Sequence, residues 1–375
     1  MKKQITILTF LLCICHLSWN QQFVKIASPC NDELLKKTPG RWIKTRETFY
    51  AKVSQQQQKE IRNRLEAIHQ LMFNIYPSPV AFDAVPSFFT TDQEFASQLK
   101  FDPSPNVKYR DYKANGIPTV LYSYTGFFSA YGCGREPYEM MRGYPSEVGT
   151  QMNVEVNSLG AFFTILSTND EIMRIDERPI KGMPVLVGKW KGYDLYSPET
   201  GSGIKMALLH REGILPYIPV TRKEYLDRCF ESFPQFFAKV FSTTPDSAVI
   251  KMIGQKEWDE QVRKIQKLKD DIWKHYRDEL EATTTAGLLD SPAVILGIIM
   301  EIRTDLSIFT TQESGGRMLV TENPAYMRKD LPKYIPQFMI YSMWDCHCGV
   351  DPSLNPYKLI EENFPIEKLQ AIIDK

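Results

Sequence analysis

Apolar residues recur at intervals of three and four after Ser54, which is the spacing of one face of an α-helix. Ser54 can cap the first turn, and Pro77 with Pro79 ends the pattern after Tyr76. The sequence therefore predicts an amphipathic helix whose apolar stripe packs into the core or, alternatively, binds a partner. The stripe consists of Ile61, Leu65, Ile68, Met72 and Ile75.

Short strands are predicted from residue 107 to about residue 218, where apolar and polar residues alternate or form short apolar runs. Lys191-Gly192 separates two of these runs, and this spacing predicts a tight hairpin. Because little helix lies between the strands, they favour an antiparallel sheet over βαβ units. The main strand candidates are residues 152–156, 185–190, 193–196 and 204–210.

A capping box starts the helix that follows the predicted sheet. Thr221 can bond the free backbone N–H groups of the first turn, while Glu224 reaches back to the Thr221 amide. We expect this helix to be interrupted near Pro234, because proline lacks the N–H of the helical ladder. Its buried stripe is predicted to be Tyr225, Leu226, Cys229, Phe230 and Phe233.

A second helix is predicted over residues 257–280, with opposite charges four residues apart on its outer face. This face is a solvated surface or, alternatively, a face that docks a partner. The predicted ion pairs are Asp259 with Arg263, Glu260 with Lys264, and Asp270 with Lys274. The predicted buried side consists of Trp258, Val262, Ile265, Ile272 and Tyr276.

Together these patterns predict an α+β fold, with a largely antiparallel sheet flanked by amphipathic helices. A short amphipathic helix near Pro365 closes the chain, and the proline-rich residues 77–118 are predicted to be mainly ordered loop. We expect residues 21–375 to form a single integrated domain, or one subdivided near residues 245–255.

The N-terminus has the pattern of a secretory signal peptide. Lys2 and Lys3 precede an apolar stretch at residues 5–15, which is too short to cross a bilayer as a helix. We predict that residues 1–20 are a signal peptide and that the protein is exported to the periplasm or the extracellular space. Lipidation at Cys13 or Cys15 is a weaker alternative, because bulky residues precede both.

The charge balance narrows the classes of partner. The chain has 45 Lys and Arg against 45 Asp and Glu, whereas a nucleic-acid-binding protein carries a basic surplus. We therefore predict no nucleic-acid partner. No run after the leader approaches the ~18 apolar residues of a membrane-spanning helix, so we predict no transmembrane segment in the mature chain.

Disulfides are predicted for the exported chain, because export leads to an oxidising compartment. The candidate cysteines are Cys30, Cys133, Cys346 and Cys348, with Cys229 as the fifth after the leader. An odd number leaves at least one unpaired, and the sequence does not give the connectivity.

The segment Asp345-Cys346-His347-Cys348 concentrates residues that bind zinc. On an extended strand, however, the two cysteines face one way while Asp345 and His347 face the other. We therefore predict disulfide bonding here rather than metal binding or redox chemistry, and we predict no metal site and no cofactor.

Most catalytic motifs are absent from the sequence. Ser97 and Lys100 fit the S-x-x-K pattern, but no K-T-G partner motif accompanies them. The four histidines of the mature chain are interpreted as structural or solvated rather than as catalytic bases: His69, His210, His275 and His347. The catalytic residues are therefore unknown from sequence.

Seven tyrosines between residues 109 and 144 suggest a glycan-binding surface, because exposed aromatic faces can stack on sugar rings. The alternative is that they pack within a sheet, where tyrosine is also favoured. They are Tyr109, Tyr112, Tyr122, Tyr124, Tyr131, Tyr138 and Tyr144.

Three stretches, at residues 65–79, 214–226 and 322–338, carry a resemblance. They read LEAIHQLMFNIYPSP, ILPYIPVTRKEYL and ENPAYMRKDLPKYIPQF. Together they resemble a family of exported bacterial proteins of unknown function, and this resemblance implies no activity or site residue.

The function predicted from sequence is that of an exported soluble protein with a non-catalytic binding or envelope-associated role. Its partner would be a glycan or another envelope protein. The alternative is a hydrolase that acts on an extracytoplasmic polymer through an Asp/Glu pair. The sequence does not say which two carboxylates form the pair, because a catalytic pair is identified by the distance between its carboxyl groups.

Overall fold

A computed structural model describes residues 22–95, 109–111, 113–114, 116–134, 136–142, 149–160, 162–163, 173–199, 202–241, 247–297, 299–300, 302–345 and 356–375. Residue contacts divide the chain into two compact units. Unit 1 comprises the described residues within 1–110, 120–156 and 341–371, and unit 2 those within 111–119, 157–340 and 372–375. The predicted single domain, or its subdivision near 245–255, stays a prediction.

Helices and mostly antiparallel strands together confirm the predicted α+β class. The described residues contain seven helices: α1 (Asp32–Leu35), α2 (Gln55–Ile75), α3 (Arg222–Val240), α4 (Ser247–Ile253), α5 (Gln255–Thr285), α6 (Pro356–Asn363) and α7 (Ile366–Gln370).

The strands of the first part of the chain are β1 (Gln22–Lys25), β2 (Arg41–Trp42), β3 (Arg46–Phe49), β4 (Phe82–Thr91), β5 (Gln93–Phe95), β6 (Tyr109–Asp111), β7 (Lys113–Ala114), β8 (Ile117–Pro118), β9 (Leu121–Ala130), β10 (Gly132–Cys133), β11 (Glu139–Arg142) and β12 (Gly149–Val156). Those that follow are β13 (Arg174–Ile175), β14 (Arg178–Pro179), β15 (Lys181–Gly182), β16 (Val185–Trp190), β17 (Tyr193–Ser197), β18 (Ile204–His210), β19 (Tyr217–Pro219), β20 (Val294–Ile295), β21 (Arg317–Glu322) and β22 (Phe338–Trp344).

The sheet of unit 1 is built around β4 and β9, which pair antiparallel along their whole lengths. β12 continues the sheet beyond β9, and the part of β22 from Tyr341 on lies next to β12. On its other edge β4 pairs in parallel with β2 and β3. β12 buries Met152, Val154 and Val156, as the sequence alternation predicts.

The prediction of a loop over residues 77–118 is wrong, because β4 lies within it. Pro86 is tolerated in this strand because β2 pairs with residues up to Ala84 and β3 starts at Ser87. Pro86 therefore falls in a gap between two short partner strands, where no ladder N–H is needed. The proline marked a local break in pairing rather than the absence of a strand.

Helix α2 covers the sheet of unit 1 as the sequence predicts. A capping box joins Ser54 and Gln57 at its start, and the chain leaves the helix at Tyr76. Four of the five stripe residues are buried, namely Ile61, Leu65, Ile68 and Met72. The stripe is thus part of the core of unit 1, which confirms the core-packing interpretation.

Unit 2 contains the predicted hairpin, in which β16 and β17 flank Lys191-Gly192. Both turn residues have positive φ angles, 49° and 88°, as a type I′ turn requires. β18 and then β22 continue this sheet from β17, and β22 belongs to unit 2 up to Ile340. A second sheet of unit 2 has the order β15-β21-β19, with β20 also paired to β21.

Helices α3 and α5 pack on one another in unit 2. The predicted capping box is present, with Thr221 N donating to Glu224 at 2.8 Å and Glu224 N donating to the Thr221 hydroxyl at 3.1 Å. The predicted interruption near Pro234 is wrong, because α3 continues to Val240. Buried Phe233, Phe236 and Phe237 flank the proline, and their burial offsets the ~3 kcal/mol that an interior proline costs.

Helix α5 is longer than predicted and is buried only in its second half. Ile272 and Tyr276 are buried, whereas Trp258, Val262 and Ile265 are only half-buried. Of the predicted ion pairs, Lys264 meets Glu260 at 2.9 Å. Asp259 accepts a hydrogen bond from Gln255, Asp270 accepts one from Gln266, and Lys274 pairs with Asp278.

Candidate ligand cavity

A disulfide joins two of the four candidate cysteines. Cys30 and Cys133 are bonded, with their Cα atoms 5.5 Å apart. The bond links the chain that follows β1 to β10, and β1 and β10 both pair with β11. The prediction of disulfide bonding is thus confirmed for this pair. Cys346 and Cys348 lie outside the described residues, as do His347 and the predicted signal peptide.

Cys229 is a free thiol buried in unit 2. Burial raises its pKa far above the ordinary value, although hydrogen bonds to Tyr225 and Tyr276 oppose this shift. A protonated thiol without solvent access is not a nucleophile. Cys229 therefore belongs to the packing of α3 and not to a reactive site.

The tyrosines that suggested glycan binding are mostly core residues where their burial is described. Tyr122, Tyr124 and Tyr131 are buried, and only Tyr138 is exposed, at 53%. Tyr109 lies in β6, and Tyr112 and Tyr144 lie outside the described residues. The three buried rings follow the alternative interpretation, packing within a sheet, and present no face to a sugar.

His69 is part of an aromatic cluster beneath α2 in unit 1. Its ring contacts Trp42 at a centroid distance of 5.1 Å, and its Nδ1 lies 3.4 Å from the Tyr124 hydroxyl. Burial lowers the pKa of His69, and the nearby Glu66 opposes this shift. The residue therefore has the structural role that the sequence interpretation gave it.

His210 is also held by the backbone around it. Its Nδ1 lies 2.8 Å from the Arg211 carbonyl oxygen and 3.1 Å from that of Ile214, which fixes the turn after β18. Ser97 and Lys100, the S-x-x-K pair, lie outside the described residues.

His275 is different, because it lines a cavity in unit 2. The cavity has a volume of about 170 Å³, is partly open, and is lined by residues of α3, α5 and the segments 295–296, 303 and 306–310. Its apolar wall consists of Ile295, Leu296, Leu306, Ile308 and Phe309. Its polar lining consists of Tyr225, His275, Arg303, Ser307 and Thr310.

The Nε2 atom of His275 is buried and has no hydrogen-bond partner among the described residues. The other polar groups of the lining are better satisfied. Tyr225 OH accepts a hydrogen bond from the Met300 amide at 3.1 Å, and the Ser307 hydroxyl donates to the Phe309 carbonyl at 3.0 Å. A buried polar atom without a partner costs about 1–3 kcal/mol. Because Nε2 has almost no accessible surface, other atoms of the His275 side chain form its part of the cavity lining.

The cavity wall is held in place by a β-bridge between two parts of the segment that forms it. Ile295 pairs with Phe309, and Thr310 N donates to the Val294 carbonyl at 2.9 Å. Gly316 supports this bridge from behind, since a Cβ there would lie 2.7 Å from the Thr311 carbonyl oxygen and would collide with Thr310. The wall thus depends on the absence of a side chain at Gly316.

A second depression, of about 380 Å³, lies in unit 1 beside α2, α6 and α7. Its two asparagines are engaged within their own helices: Asn74 accepts from Gln70, and Asn363 donates to the Leu359 carbonyl. The unit 2 cavity is the better candidate, because its exposed lining is mainly apolar whereas that of the depression in unit 1 is mainly polar.

The acidic residues near the cores are held by arginine. Asp83 accepts hydrogen bonds from Arg41 at 3.1 Å and from the Tyr131 hydroxyl at 2.6 Å. Asp374 pairs with Arg211 at 3.0 Å. Within the described part of the chain, no group of three or more His, Cys, Asp or Glu side chains could hold a metal ion.

No family model matches the chain, and neither a curated protein nor a solved structure is similar to it. The resemblance of three stretches to exported proteins therefore stays an expectation. Among the described helices, none combines the length and the apolar character needed to cross a membrane.

Sequence reasoning named His275 but missed the rest of the cavity. Arg303, Ser307 and Phe309 lie in an irregular segment without periodicity or a known motif, so no sequence signal joined them to α5. His275 and this segment are separated along the sequence, and they come together when the core of unit 2 packs.

Proposed function

We propose that the protein is an exported, non-catalytic binding protein whose unit 2 cavity takes a small, mainly apolar molecule. The observation that carries this proposal is the cavity of about 170 Å³ beside His275, whose lining combines five apolar side chains with a few polar ones. A mainly apolar pocket with a few polar groups is typical of a small-molecule site.

The volume limits the size of the ligand. An apolar cavity of about 150 Å³ holds benzene, so the cavity of about 170 Å³ beside His275 suits a molecule with one ring or a short branched chain. A polymer chain would not fit inside it. If the protein also contacts a glycan or another envelope protein, as the sequence suggests, that contact uses a different surface.

Binding is favoured over catalysis because the cavity pairs no nucleophile with its histidine. A hydroxyl that is activated by histidine donates a hydrogen bond to it, whereas the Ser307 hydroxyl donates to a backbone carbonyl. The alternative hydrolase with an Asp/Glu pair stays a prediction, and the ion pairs of Asp83 and Asp374 give it no support.

Export is supported by the Cys30–Cys133 disulfide together with the signal-like N-terminus. Disulfides persist in oxidising compartments and are rare in the cytosol. The test is to express the full chain and a variant without residues 2–20, and to measure the location and free thiols of each. Retention of the full chain in the cytosol with reduced Cys30 and Cys133 would contradict export.

Ligand binding is tested with benzyl alcohol as a neutral probe of one ring. Titration calorimetry and side-chain NMR of His275 should show saturable binding at one site. Leu306→Trp fills the cavity and should abolish binding, while Leu186→Trp, at an exposed position of β16 that is not part of the lining, should leave it unchanged. Equal, non-saturable responses of all three proteins would exclude the cavity as a site.

A further inference from the structure

We propose that the unit 2 cavity takes the end of a straight alkyl chain, and that this chain continues out of the cavity over Leu296 and Leu306. The inference rests on the proposed function and names the chemical class of its ligand. That ligand is a free amphiphile with a single chain of about eight carbons and a polar head group that stays in water.

The exposure of the apolar lining increases from the inner end of the cavity to its mouth. Ile295, Ile308 and Phe309 are buried. Leu306 is 37% exposed and Leu296 is 53% exposed, and both line the same partly open cavity. Side chains with this much exposure lie where the cavity meets solvent, and we call these two leucines the rim. The apolar surface therefore extends from the buried inner end to the rim.

Several polar groups of the lining are poorly placed to bind the inner end of a ligand. Tyr225 OH already accepts a hydrogen bond from a backbone N–H, and the Ser307 hydroxyl donates to a backbone carbonyl. The Nε2 atom of His275 has almost no accessible surface. Arg303 and Ser307 are exposed, so they meet water on the outer side of the cavity. We therefore expect the methyl end of the ligand inside the cavity and its head group outside.

The volume sets the length of the chain. An apolar cavity of about 150 Å³ holds the six carbons of benzene, so the cavity of about 170 Å³ takes about six carbons of a chain. Two further methylenes reach across the rim and remove apolar surface of both leucines from water. A ring of six carbons would fill the cavity and leave the rim uncovered. The rim therefore favours a straight chain over a single ring.

Calorimetric titration of the full chain with butanol, hexanol and octanol, each with its hydroxyl at the chain end, tests this assignment. A methylene that moves from water into apolar surroundings strengthens binding about fourfold, so hexanol should bind roughly tenfold more tightly than butanol. Octanol should bind about threefold to tenfold more tightly again, because the rim covers its last methylenes on one side only. Each alcohol should saturate a single site.

A substitution at the rim assigns the extra affinity of octanol to this surface. Leu296→Ser should remove most of the gain of octanol over hexanol while hexanol still binds, which also shows that the variant is folded. Leu288→Ser is the matched control, because Leu288 is an exposed leucine of unit 2 that is not part of the lining. It should leave all three affinities unchanged.

Sedimentation with phosphatidylcholine vesicles distinguishes a free amphiphile from a lipid in a bilayer. We expect no co-sedimentation, because a phospholipid carries a second chain for which the cavity has no room. Co-sedimentation that Leu296→Ser removes would show that the rim binds a bilayer, and it would overturn the assignment to a free amphiphile.

The outcomes of the titrations separate this inference from the proposed function. If hexanol and benzyl alcohol bind but octanol binds no more tightly than hexanol, the cavity is a binding site and the assignment of an extended chain is wrong. An unchanged ratio of octanol to hexanol affinity in Leu296→Ser would also overturn it. If no probe binds, the proposed function itself fails, and this inference fails with it.

Discussion

His69 in unit 1 and His275 in unit 2 occupy similar positions in the sequence, each on a long amphipathic helix beside an apolar stripe, yet their surroundings differ. The Nδ1 atom of His69 lies 3.4 Å from the Tyr124 hydroxyl, within a cluster of aromatic rings. The Nε2 atom of His275 is buried and has no hydrogen-bond partner in the part of the chain that the structure describes. One histidine completes a packed core, and the other lines a cavity while its Nε2 atom stays unbonded.

The difference comes from what each helix packs against. Helix α2 lies on the regular strands β4 and β9, whose side chains are spaced evenly and fill the space beneath His69. Helix α5 faces residues 295–297, 299–300 and 302–310, which contain no helix and, apart from Ile295 of β20, no strand. Irregular backbone does not present side chains at a constant spacing, and here a cavity remains between this segment and α5.

The largest expected effect concerns the Cys30–Cys133 disulfide of unit 1. We predict that Cys30→Ser with Cys133→Ser lowers the free energy of unfolding by about 3–5 kcal/mol, because the bond closes a loop of 103 residues. Urea denaturation of unit 1, followed by Trp42 fluorescence in a variant that lacks the other tryptophans, measures this loss. The control is the variant that has Trp42 as its single tryptophan and keeps both cysteines. A loss below about 1 kcal/mol would contradict the stabilising role of the disulfide.

A paired truncation tests the contrast in packing directly. Leu65 in α2 is fully buried, whereas Leu306 at the cavity wall is 37% exposed. We expect Leu65→Ala to lower the free energy of unfolding by about 2–5 kcal/mol and Leu306→Ala by less than about 1 kcal/mol. Chemical denaturation of the two variants provides the comparison. Equal losses would mean that the wall of unit 2 is packed as tightly as the core of unit 1.

Gly316 offers a way to disturb the cavity wall alone. We expect Gly316→Ala to lower the free energy of unfolding by about 1–3 kcal/mol, because its Cβ would approach the Thr311 carbonyl and displace Thr310. The variant should also weaken binding of benzyl alcohol. Gly160→Ala is the control in unit 2, since a Cβ there meets nothing closer than 3.8 Å. Unchanged binding in Gly316→Ala would show that the wall tolerates the shift.

The smallest effect is a pH dependence that is specific to unit 1. Because burial lowers the pKa of His69 in the folded state, the unfolded state takes up a proton first as the pH falls below 6.5. The stability that neutral His69 contributes is therefore fully present above this value and is lost as the pH falls toward the folded pKa. NMR titration of His69 gives that pKa directly.

A substitution of His69 separates its contribution to the pH dependence of stability from that of other titratable groups. His69→Gln should reduce the loss of stability between pH 7 and pH 5, measured by urea denaturation at each pH. An identical pH profile for the wild-type protein and the variant would show that His69 does not link protonation to folding.

Much of the fold could be predicted because its signals are local. The capping boxes at Ser54 and Thr221, the stripe of α2, and the hairpin turn at Lys191-Gly192 depend on residues only a few positions apart. The wrong predictions concern two prolines whose effect on the fold depends on residues elsewhere in the structure. Pro86 is accommodated by a gap between β2 and β3, and Pro234 by aromatic burial.

The candidate site was predictable only in part. His275 was named from the sequence, but nothing local distinguished it from His69, because both lie beside an apolar stripe. Arg303 and Ser307 carried no signal at all. The pairing of Cys30 with Cys133 was likewise one of several combinations that five cysteines allow.

The sequence by itself determined the α+β fold class and the starts of the two capped helices, α2 and α3, since periodicity and capping act within a few residues along the chain. Tertiary structure alone decided which histidine is satisfied, which cysteines are bonded and where a proline fits into a strand. Each of these depends on contacts between residues far apart in sequence, and such contacts are formed only when the core is packed. The cavity beside His275 is the clearest case, because its wall and its histidine meet only in the folded chain.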